Sequence, residues 1–523
     1  MLLGQVIETS AAVAATRSRT AKVTLLAQTL LHAAREPDVS ARTVEVVADY
    51  LAGTLPQRRL GVSWRGLQEL PPASDEARLT VEHTDAAFTA LAGLSGDGVA
   101  ARRRHAVHDL FARATAQEQR WLSGVVTGEL RQGASDGVLL QAVARAAEVD
   151  EASVRAAVMR AGDTGVVARV ALSAVHPQEA KAALSAVSLQ VGRPLRPMLA
   201  GSSPTVPEAM RAGQSVAVER KLDGIRVQAH LWGDGEERQV RLYTRTLEDI
   251  TDRVPEVTEE LAALPVRTAV LDGELIALRA DGRPEPFQVT GARTASSADP
   301  EHLRATVPLT TVLFDVMHRD GEDLLERPAG ERWEALISIA AHLTVPRLVT
   351  ADPGAAQAFF AAQVAGGHEG VVVKSVQAPY AAGRRGEGWV KVKPRHTFDL
   401  VVLAVEWGSG RRTGLLSNIH LAARDERSGD LVMLGKTFKG MTDEVLRWQT
   451  ERFLALQTHR SGHVVHVRPE QVVEVAVDGI QRSRRYPGGI ALRFARVVGY
   501  RDDKGVQEAD SLQHVIATCG SGL

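Results

Sequence analysis

The chain has almost no cysteine, with Cys519 the single one among its 523 residues. One thiol excludes a disulfide framework and a cysteine-based zinc site, and such usage is typical of a reducing cytoplasm. No apolar run approaches the roughly 18 residues that cross a bilayer, and the first residues lack the basic leader of a signal peptide. We therefore expect a soluble, cytoplasmic protein without membrane contact.

The chain also lacks an excess of positive charge, because 62 basic and 63 acidic side chains leave a formal net charge of −1. Any affinity for nucleic acid must therefore come from local patches. Lysine is scarce, since only nine of the basic residues are lysine and 53 are arginine. Arginine keeps its proton near neutral pH, whereas lysine can become an amine nucleophile. Each lysine position is therefore informative.

The length exceeds what one hydrophobic core usually supports. Residues 1–190 carry apolar residues at helical spacing, as in AKVTLLAQTLLHAA and GVLLQAVARAAEV, which predicts an all-α domain. After a proline-rich linker the period changes to two, in segments such as VAVERKL and IRVQAHL, which predicts a second domain with short strands over 191–396. Further strand-like segments predict a C-terminal β-barrel over 397–523.

The segment ERKLDGIR places Lys221 before an Asp223-Gly224 turn. A lysine beside a turn is common on ordinary surfaces, so this segment alone leaves a plain surface turn open. In AVLDGELIAL, Asp272 and Glu274 stand two apart on a predicted strand and therefore share a face. Carboxylates placed in this way can hold a divalent cation.

Two later segments add lysines. HEGVVVKS contains Glu369 and, after a valine run, Lys374, and WVKVKP sets Lys391 and Lys393 on one strand face. Neighbouring ammonium groups repel unless an anion such as a phosphate chain lies between them; the alternative is a solvated strand edge. Five of the nine lysines lie in four short windows, 219–226, 369–375, 389–394 and 493–504, which favours the phosphate site.

Taken in this order, the motifs resemble those of the covalent nucleotidyltransferases, and within them the ATP-dependent DNA ligases. ERKLDGIR is similar to their nucleophile motif and TRTLEDIT to the ribose-proximal motif that follows. VLDGELIA and LFDVMHRDG resemble the central pair, and HEGVVVKS and WVKVKP the fourth and fifth motifs. The resemblance covers essentially the whole chain. It implies a helical DNA-binding domain, an α+β, ATP-grasp-like nucleotidyltransferase domain with antiparallel sheets, and an oligonucleotide-binding-fold (OB-fold) barrel.

The resemblance also implies a role for each matching residue. Lys221 would carry AMP, Glu219 would read the adenine amino group, and Phe314 would stack on the adenine ring. Glu274 and Glu369 would hold magnesium, or manganese in its place. The other ATP-binding positions implied around the ribose and phosphates are Arg226, Arg245, Glu274, Lys374, Lys391, Lys393, Arg493 and Arg496.

An amine nucleophile requires a lowered pKa, because a free lysine with a pKa of about 10.4 is almost fully protonated at pH 7. We expect Lys391 and Lys393 to lower the pKa of Lys221, with magnesium offsetting the nearby carboxylates. The segment ALRFARVVGYRDDKG resembles the family's last motif. Its Arg501 and Lys504 match further basic positions of that motif. Gly499 departs from it, because many eukaryotic relatives carry arginine there, which puts one phosphate contact in doubt.

DNA contacts are expected at phosphate-binding positions. The helical region resembles the DNA-binding domain of the larger ligases, notably in LRQGASDGVLLQAVARA, where a helix N-terminus can receive a phosphate. A simple helix cap at Ser135 or Asp136 is the alternative. The expected DNA-binding residues are Arg131, Gly133, Ser135, Arg103 and Arg485.

The resemblance implies an enzyme that seals 5′-phosphate/3′-hydroxyl nicks in duplex DNA with ATP and magnesium, through a lysyl-AMP and a DNA-adenylate. It further implies a monomer, nucleoid-associated in a bacterium, with a sliding clamp or repair proteins as partners; the pathway, replication or repair, stays open. The alternatives are an RNA ligase, a capping guanylyltransferase or a catalytically inactive DNA-binding relative.

Overall fold

The computed structural model describes residues 1–37, 40–57, 60–96, 98–130, 133, 136–210, 213–296, 298–383 and 385–519. Contacts divide the chain into two compact units. Unit 1 comprises Met1–Pro197, Gly321–Leu325 and Ala381–Gly383, and unit 2 comprises the remainder. The predicted boundary at 190 lies near this division, and the predicted boundary at 396 falls inside unit 2; both domain bounds remain predictions. Among the described residues no helix is long and apolar enough to cross a membrane.

Unit 1 is helical. Its helices bury their apolar faces in one core that includes Leu26, Leu51 and Phe88. The ends are set by capping side chains: Thr115 accepts from the Glu118 amide while the Glu118 carboxylate accepts from the Thr115 amide. The helices are α1 (Leu3–Ala15), α2 (Arg19–Arg35), α3 (Ala41–Ala52), α4 (Val81–Ala92), α5 (Val99–Ala112), α6 (Ala116–Thr127), α7 (Asp136–Ala146), α8 (Glu151–Ala161), α9 (Thr164–Leu172) and α10 (Pro177–Ser185).

The first part of unit 2 alternates strands and helices. The strands are β1 (Leu199–Ser203), β2 (Val216–Lys221), β3 (Ile225–Trp232), β4 (Gln239–Thr244), β5 (Ala269–Ala277), β6 (Leu309–Arg319), the two-residue β7 (Glu322–Asp323, in unit 1), β8 (Arg347–Thr350), β9 (Gly370–Ser375) and β10 (Arg385–Val392). The helices are α11 (Val206–Ala209), α12 (Pro255–Ala262), α13 (Phe287–Ala295), α14 (Pro300–Thr306), α15 (Ala329–Ala340) and α16 (Pro353–Ala365).

These strands form two sheets. The first has the order β1-β10-β9-β2-β8, and the second places β4, β3, β5 and β6 side by side. All these pairs are antiparallel except β1 and β10, so the predicted antiparallel architecture holds apart from this one parallel pair. Buried valines on β2 and β9 pack under α16, which gives the first sheet its core.

The loop 222–224 carries the chain from the first sheet into the second, because β2 belongs to one and β3 to the other. This crossing puts Lys221 at the end of a buried strand, where the sheets meet. Gly224 is required at the crossing, since a Cβ there would lie 2.6 Å from the side chain of Ile276 and closer still to the Leu275 carbonyl oxygen. A larger residue would therefore displace the loop.

The rest of unit 2 consists of a seven-stranded sheet around a second core and a separate two-stranded sheet. The strands are β11 (His396–Trp407), β12 (Leu416–Arg424), β13 (Leu431–Thr437), β14 (Gln457–Ser461), β15 (Val464–Val467), β16 (Val472–Val477), β17 (Gly479–Arg482), β18 (Ile490–Arg493) and β19 (Arg496–Arg501). The long strand β11 pairs with β12 and also with β15 and β16, β16 pairs with β19, and β17 and β18 pair with each other. Helices α17 (Asp443–Ala455) and α18 (Leu512–Cys519) accompany them.

Candidate active site

A cavity of about 990 Å³ opens beside the loop that joins the two sheets of unit 2. Its walls come from β2, β3, β5, β6, β9 and β10, with α13 on one side and Arg493 and Phe494 from the barrel. The structure brings to this cavity most of the nucleotide- and metal-binding positions predicted from the sequence. They are Glu219, Lys221, Arg226, Arg245, Glu274, Phe314, Glu369, Lys374, Lys391, Lys393 and Arg493.

Lys221 is held at the cavity by a carboxylate. Its ammonium group forms an ion pair with Glu369, which precedes β9, and donates to the Leu222 carbonyl oxygen at 3.1 Å. The second oxygen of Glu369 pairs with Lys393, which also lies 3.3 Å from Asp478 of the barrel. One carboxylate thus fixes the distance between two lysines that would otherwise repel each other.

The pKa of Lys221 departs from the expected direction. Burial lowers this pKa, but the carboxylates of Glu369, Glu274 and Asp223 raise it by more, so that it lies above its ordinary value. The expected lowering by Lys391 and Lys393 is therefore not what this arrangement produces. The physical reason is distance, because the carboxylates contact or adjoin the ammonium group.

Glu219 lies on β2, two residues before Lys221, and is only 2% exposed. Its Oε1 receives the guanidinium of Arg347, with Nε at 2.7 Å and Nη2 at 2.6 Å, and its Oε2 pairs with the Lys374 ammonium at 2.6 Å. Burial of a carboxylate is costly unless it is paired. The two cations therefore offset the cost of burying this carboxylate at the wall of the cavity.

The aromatic wall is formed by Phe314 on β6 and Trp389 on β10. Their rings meet edge to face, with centroids 5.8 Å apart. The Lys374 ammonium lies 4.6 Å from the Phe314 centroid and 4.0 Å from that of Trp389. Burial lowers the pKa of Lys374, an effect that Glu219 opposes. An aromatic face beside a carboxylate provides both a stacking surface and an acceptor for a purine.

Arg226 is committed to protein partners. Its guanidinium forms two hydrogen bonds with Asp272, at 2.9 and 2.6 Å, and one with the Met198 carbonyl oxygen at 2.5 Å. Asp272 also accepts from the Tyr380 hydroxyl at 2.6 Å and is fully buried. The predicted sharing of a cation by Asp272 and Glu274 is therefore not what the structure shows, because Asp272 is engaged by Arg226 behind the cavity wall.

Glu274 and Glu369 remain as the carboxylates beside Lys221. The Glu274 Oε1 accepts from the Gly224 amide at 2.8 Å. Burial raises the pKa of Glu274, which Lys221 and the Gly224 amide counteract. Within the described ranges no group of three or more His, Cys, Asp or Glu side chains could hold a metal on its own. Two carboxylates fit Mg²⁺, which is usually held by one or two carboxylates together with substrate phosphates.

The barrel contributes one arginine to the cavity. Arg493, at the end of β18, bonds both oxygens of Asp223 at 2.9 and 3.4 Å. Arg496 is exposed on β19 and does not line the cavity, and Arg501 pairs with Asp399 and Asp503 within the barrel. Lys504 also pairs with Asp399, while open space surrounds Gly499.

The predicted DNA-binding residues that the structure describes do not line this cavity. Arg131 and Ser135 fall outside the described residues. Gly133 has φ +66 and its carbonyl oxygen accepts from Lys22 at 2.8 Å. The half-buried Arg103 on α5 donates to the Leu94 carbonyl oxygen, and Arg485 is exposed in the loop between β17 and β18.

The sequence reasoning missed several residues of the site. Trp389 could have been found, because strand alternation puts it on the same face as Lys391 and Lys393. Tyr380 and Arg347 carry no local signal. Arg347 meets Glu219 only through the pairing of β8 with β2, across 128 positions.

Two sheets around a lysine-centred cavity, followed by a curved barrel sheet, define the class as covalent nucleotidyltransferases. Three family models match the chain: "ATP dependent DNA ligase domain" over residues 197–393, "ATP dependent DNA ligase C terminal region" over 412–504 and "DNA ligase N terminus" over 66–144. The chain belongs to the ATP-dependent DNA ligase family.

Full-length relatives agree with the models. A protein named "Probable DNA ligase" from Beutenbergia cavernae is 56% identical over 525 residues, covering 99% of this chain and 100% of the relative. "DNA ligase B" from Mycobacterium tuberculosis is 52% identical over 520 residues, with 99% and 100% covered. The solved structure "Pmar-Lig_PreS3" has a TM-score of 0.59 at 18% identity and covers 95% and 99% of the two chains, which shows the fold. The predicted fold class, ending in an OB-fold, is confirmed.

Proposed function

We propose that this ATP-dependent DNA ligase seals 5′-phosphate/3′-hydroxyl nicks in duplex DNA through AMP carried on Lys221. The observation that carries the proposal is the position of Lys221. It is the lysine at the junction of the two sheets, held by Glu369 beside an aromatic wall and a buried carboxylate. A purine bound at Phe314 and Glu219 would have its phosphates among Lys391, Lys393 and Arg493.

The proposed chemistry consists of three displacements at phosphorus. The Lys221 nitrogen forms a bond to the α-phosphate of ATP as the bond to pyrophosphate breaks. The 5′-phosphate at the nick then displaces the lysine nitrogen, and the 3′-hydroxyl finally displaces AMP and gives up its proton. Positioning and charge stabilisation supply most of the rate in such in-line transfers. The cluster of Lys374, Lys391, Lys393 and Arg493 supports that role.

We propose Glu274 and Glu369 as the protein ligands of Mg²⁺, or of Mn²⁺ in its place. Both side chains line the cavity next to Lys221, and their carboxylates are the hard oxygen donors these ions prefer. The bound cation would neutralise phosphate charge and oppose the effect of the same carboxylates on the pKa of Lys221. The remaining work belongs to the protein: Glu369 orients the amine, and the lysines align the phosphates.

Contacts with DNA are proposed for Gly133, Arg103 and Arg485 among the described residues. The exposed guanidinium of Arg485 and the main-chain amide of Gly133 are groups that can bind phosphates without reading bases. The chain's neutral net charge makes such local contacts necessary. Binding should therefore depend on backbone geometry at the nick rather than on sequence.

The experiment separates adenylation from sealing. Protein incubated with α-³²P-labelled ATP and magnesium should gain one covalent label that survives denaturation, which mass spectrometry should locate on Lys221. Lys221→Ala should lose the label entirely, yet still seal a nick whose 5′-phosphate already carries AMP. Lys181→Ala, which removes a lysine exposed on unit 1, is the matched control and should label normally.

Three outcomes would contradict the proposal in different ways. A label at another residue would refute the nucleophile. Wild-type protein that binds nicked DNA but never becomes labelled would be a catalytically inactive relative. Labelling with GTP in preference to ATP, or sealing confined to RNA ends, would instead support a capping enzyme or an RNA ligase.

A further inference from the structure

Arg347 stands directly behind the carboxylate proposed to read adenine. It is the first residue of β8, at the edge of the first sheet, and is the cross-strand neighbour of Glu219 on β2. Its Nε and Nη2 both reach Oε1 of Glu219, at 2.7 and 2.6 Å. Arg347 does not line the cavity, whereas Glu219 does. Any effect of Arg347 on a nucleotide must therefore pass through its neighbours.

Arg347 also reaches the aromatic wall. Its Nη2 donates to the main-chain carbonyl oxygen of Phe314 at 3.3 Å. On its other side, the guanidinium lies 4.1 Å from the ring centroid of Trp333 on α15, a cation–π contact that restricts its orientation. A single planar group thus ties Glu219 to Phe314 and is itself fixed by a helix behind the sheet.

The geometry of Glu219 leaves one oxygen for a ligand. An ionised carboxylate has about four acceptor positions, two on each oxygen. Arg347 Nε donates to Oε1 and its Nη2 lies 2.6 Å from the same oxygen, so the guanidinium covers that side of the carboxylate. Oε2 contacts the ammonium of Lys374, which lines the cavity, and has one position left. The guanidinium therefore determines which way the remaining acceptor faces.

We propose that Arg347 is a positioning residue that sets the base selectivity of adenylation. By holding Oε1, it fixes the orientation of the Glu219 carboxylate and aims the remaining acceptor of Oε2 at the 6-amino group of a purine. A 6-oxo purine presents an oxygen at the same place, which an ionised carboxylate repels. The inference rests on the proposed function, because it assumes that a purine nucleotide occupies this cavity.

Loss of Arg347 should weaken selectivity rather than chemistry. Without it, the Glu219 carboxylate keeps only Lys374 as a cation and can rotate toward it, so the acceptor is no longer aimed at the base. Lys221 keeps its ion pair with Glu369, and Arg347 does not line the cavity where the phosphates would bind. We therefore expect the KM for ATP to rise roughly tenfold while kcat for adenylation changes less than about threefold.

The test is a thermodynamic cycle that combines removal of the Arg347 guanidinium with removal of the 6-amino group of the nucleotide. Adenylation of Lys221 is measured for wild type and Arg347→Met with ATP and with purine riboside triphosphate, which lacks the 6-amino group. In wild type, loss of the amino group should lower kcat/KM roughly 10- to 100-fold. In Arg347→Met the two nucleotides should differ by less than about threefold, and inosine triphosphate should be excluded less strongly than by wild type.

The controls separate positioning from folding. Arg304→Met removes a comparable two-pronged pair with Glu259 on the surface of unit 2 and should leave the nucleotide ratio at its wild-type value. Arg347→Lys keeps the charge without the fork and should give an intermediate ratio, which tests the idea even if Arg347→Met does not fold.

Two results would overturn the inference. An equal loss for both nucleotides in the Arg347 variants would show a purely structural role. A wild-type ratio near one would show that Glu219 does not read the amino group. Failure of the proposed function looks different, because wild-type protein would then carry no AMP on Lys221 with any nucleotide.

Discussion

Removing one buried oxygen, by Tyr380→Phe, should destabilise unit 2 by about 3 kcal/mol. The Tyr380 hydroxyl donates to the fully buried Asp272 at 2.6 Å and accepts from the Met198 amide at 3.1 Å. A hydrogen bond to a buried charge contributes roughly 1.5–3 kcal/mol, and a buried amide left without an acceptor costs about 1–3 kcal/mol. The more apolar phenylalanine ring recovers part of this sum.

Thermal unfolding followed by circular dichroism measures the effect. A loss of about 3 kcal/mol should lower the Tm of the transition of unit 2 by roughly 4–5 °C. The hydroxyl group does not line the cavity, so adenylation at 25 °C should fall less than about tenfold. Tyr486→Phe removes the same atom from a half-buried ring of the barrel and should change the Tm by less than about 2 °C.

The result that would refute this reasoning is a Tm for Tyr380→Phe within about 2 °C of wild type. Asp272 would then draw enough stabilisation from Arg226 alone, and the Met198 amide would have found another acceptor. A double variant that also carries Asp272→Asn separates the contribution of the hydrogen bond to the Asp272 charge from that of the hydrogen bond accepted from the Met198 amide. If the hydroxyl acts mainly through the charge, Tyr380→Phe should cost less in that background.

Three further outcomes are expected. Glu369→Gln should lower adenylation at least about tenfold and raise the magnesium concentration for half-maximal rate, since it removes a proposed ligand and the partner of two lysines; an unchanged magnesium dependence would contradict the assignment. Burial, aided by His318, lowers the pKa of His230 to about 3, below the 6.5 of the unfolded chain. Stability should therefore fall as pH drops from 6.5 towards 3, by up to about 1.4 kcal/mol per pH unit, and this slope should flatten in His230→Gln when urea midpoints are compared. Arg103→Gln and Arg485→Gln should each reduce the slope of log affinity for nicked DNA against log salt by about one, and unchanged slopes would remove them from the interface.

The fold class could be predicted from the spacing of apolar residues. In residues 1–190 this spacing is helical, whereas many of the later segments have a period of two. Apolar spacing on α2 and α7 is helical, and apolar and polar residues alternate in the sequence of β3, although the structure buries residues on both of its faces. Such patterns could not predict the parallel pairing of β1 with β10, because β1 is short and only partly buried. Strand pairing between distant segments depends on packing that no local pattern records.

For the site, the sequence indicated which residues converge but not how they pair. Lys221, Glu369 and Lys393 were each visible as lysines or acids in short motifs. That one carboxylate would hold both lysines, and so raise the pKa of Lys221, depends on the distances between three separate strands. Asp272 shows the same limit, because two carboxylates that alternate on one strand acquired different partners.

The order of strands in the first sheet has a consequence for synthesis on the ribosome. β2 lies between β9 and β8, and β10 follows β9, so the nucleophile leaves the ribosome well before the strands that flank it. About 170 residues separate Lys221 from the end of β10, roughly 10 to 30 s of translation. A nascent chain released early would carry the reactive amine without the lysines that complete the pocket. Such a fragment would be unable to consume ATP.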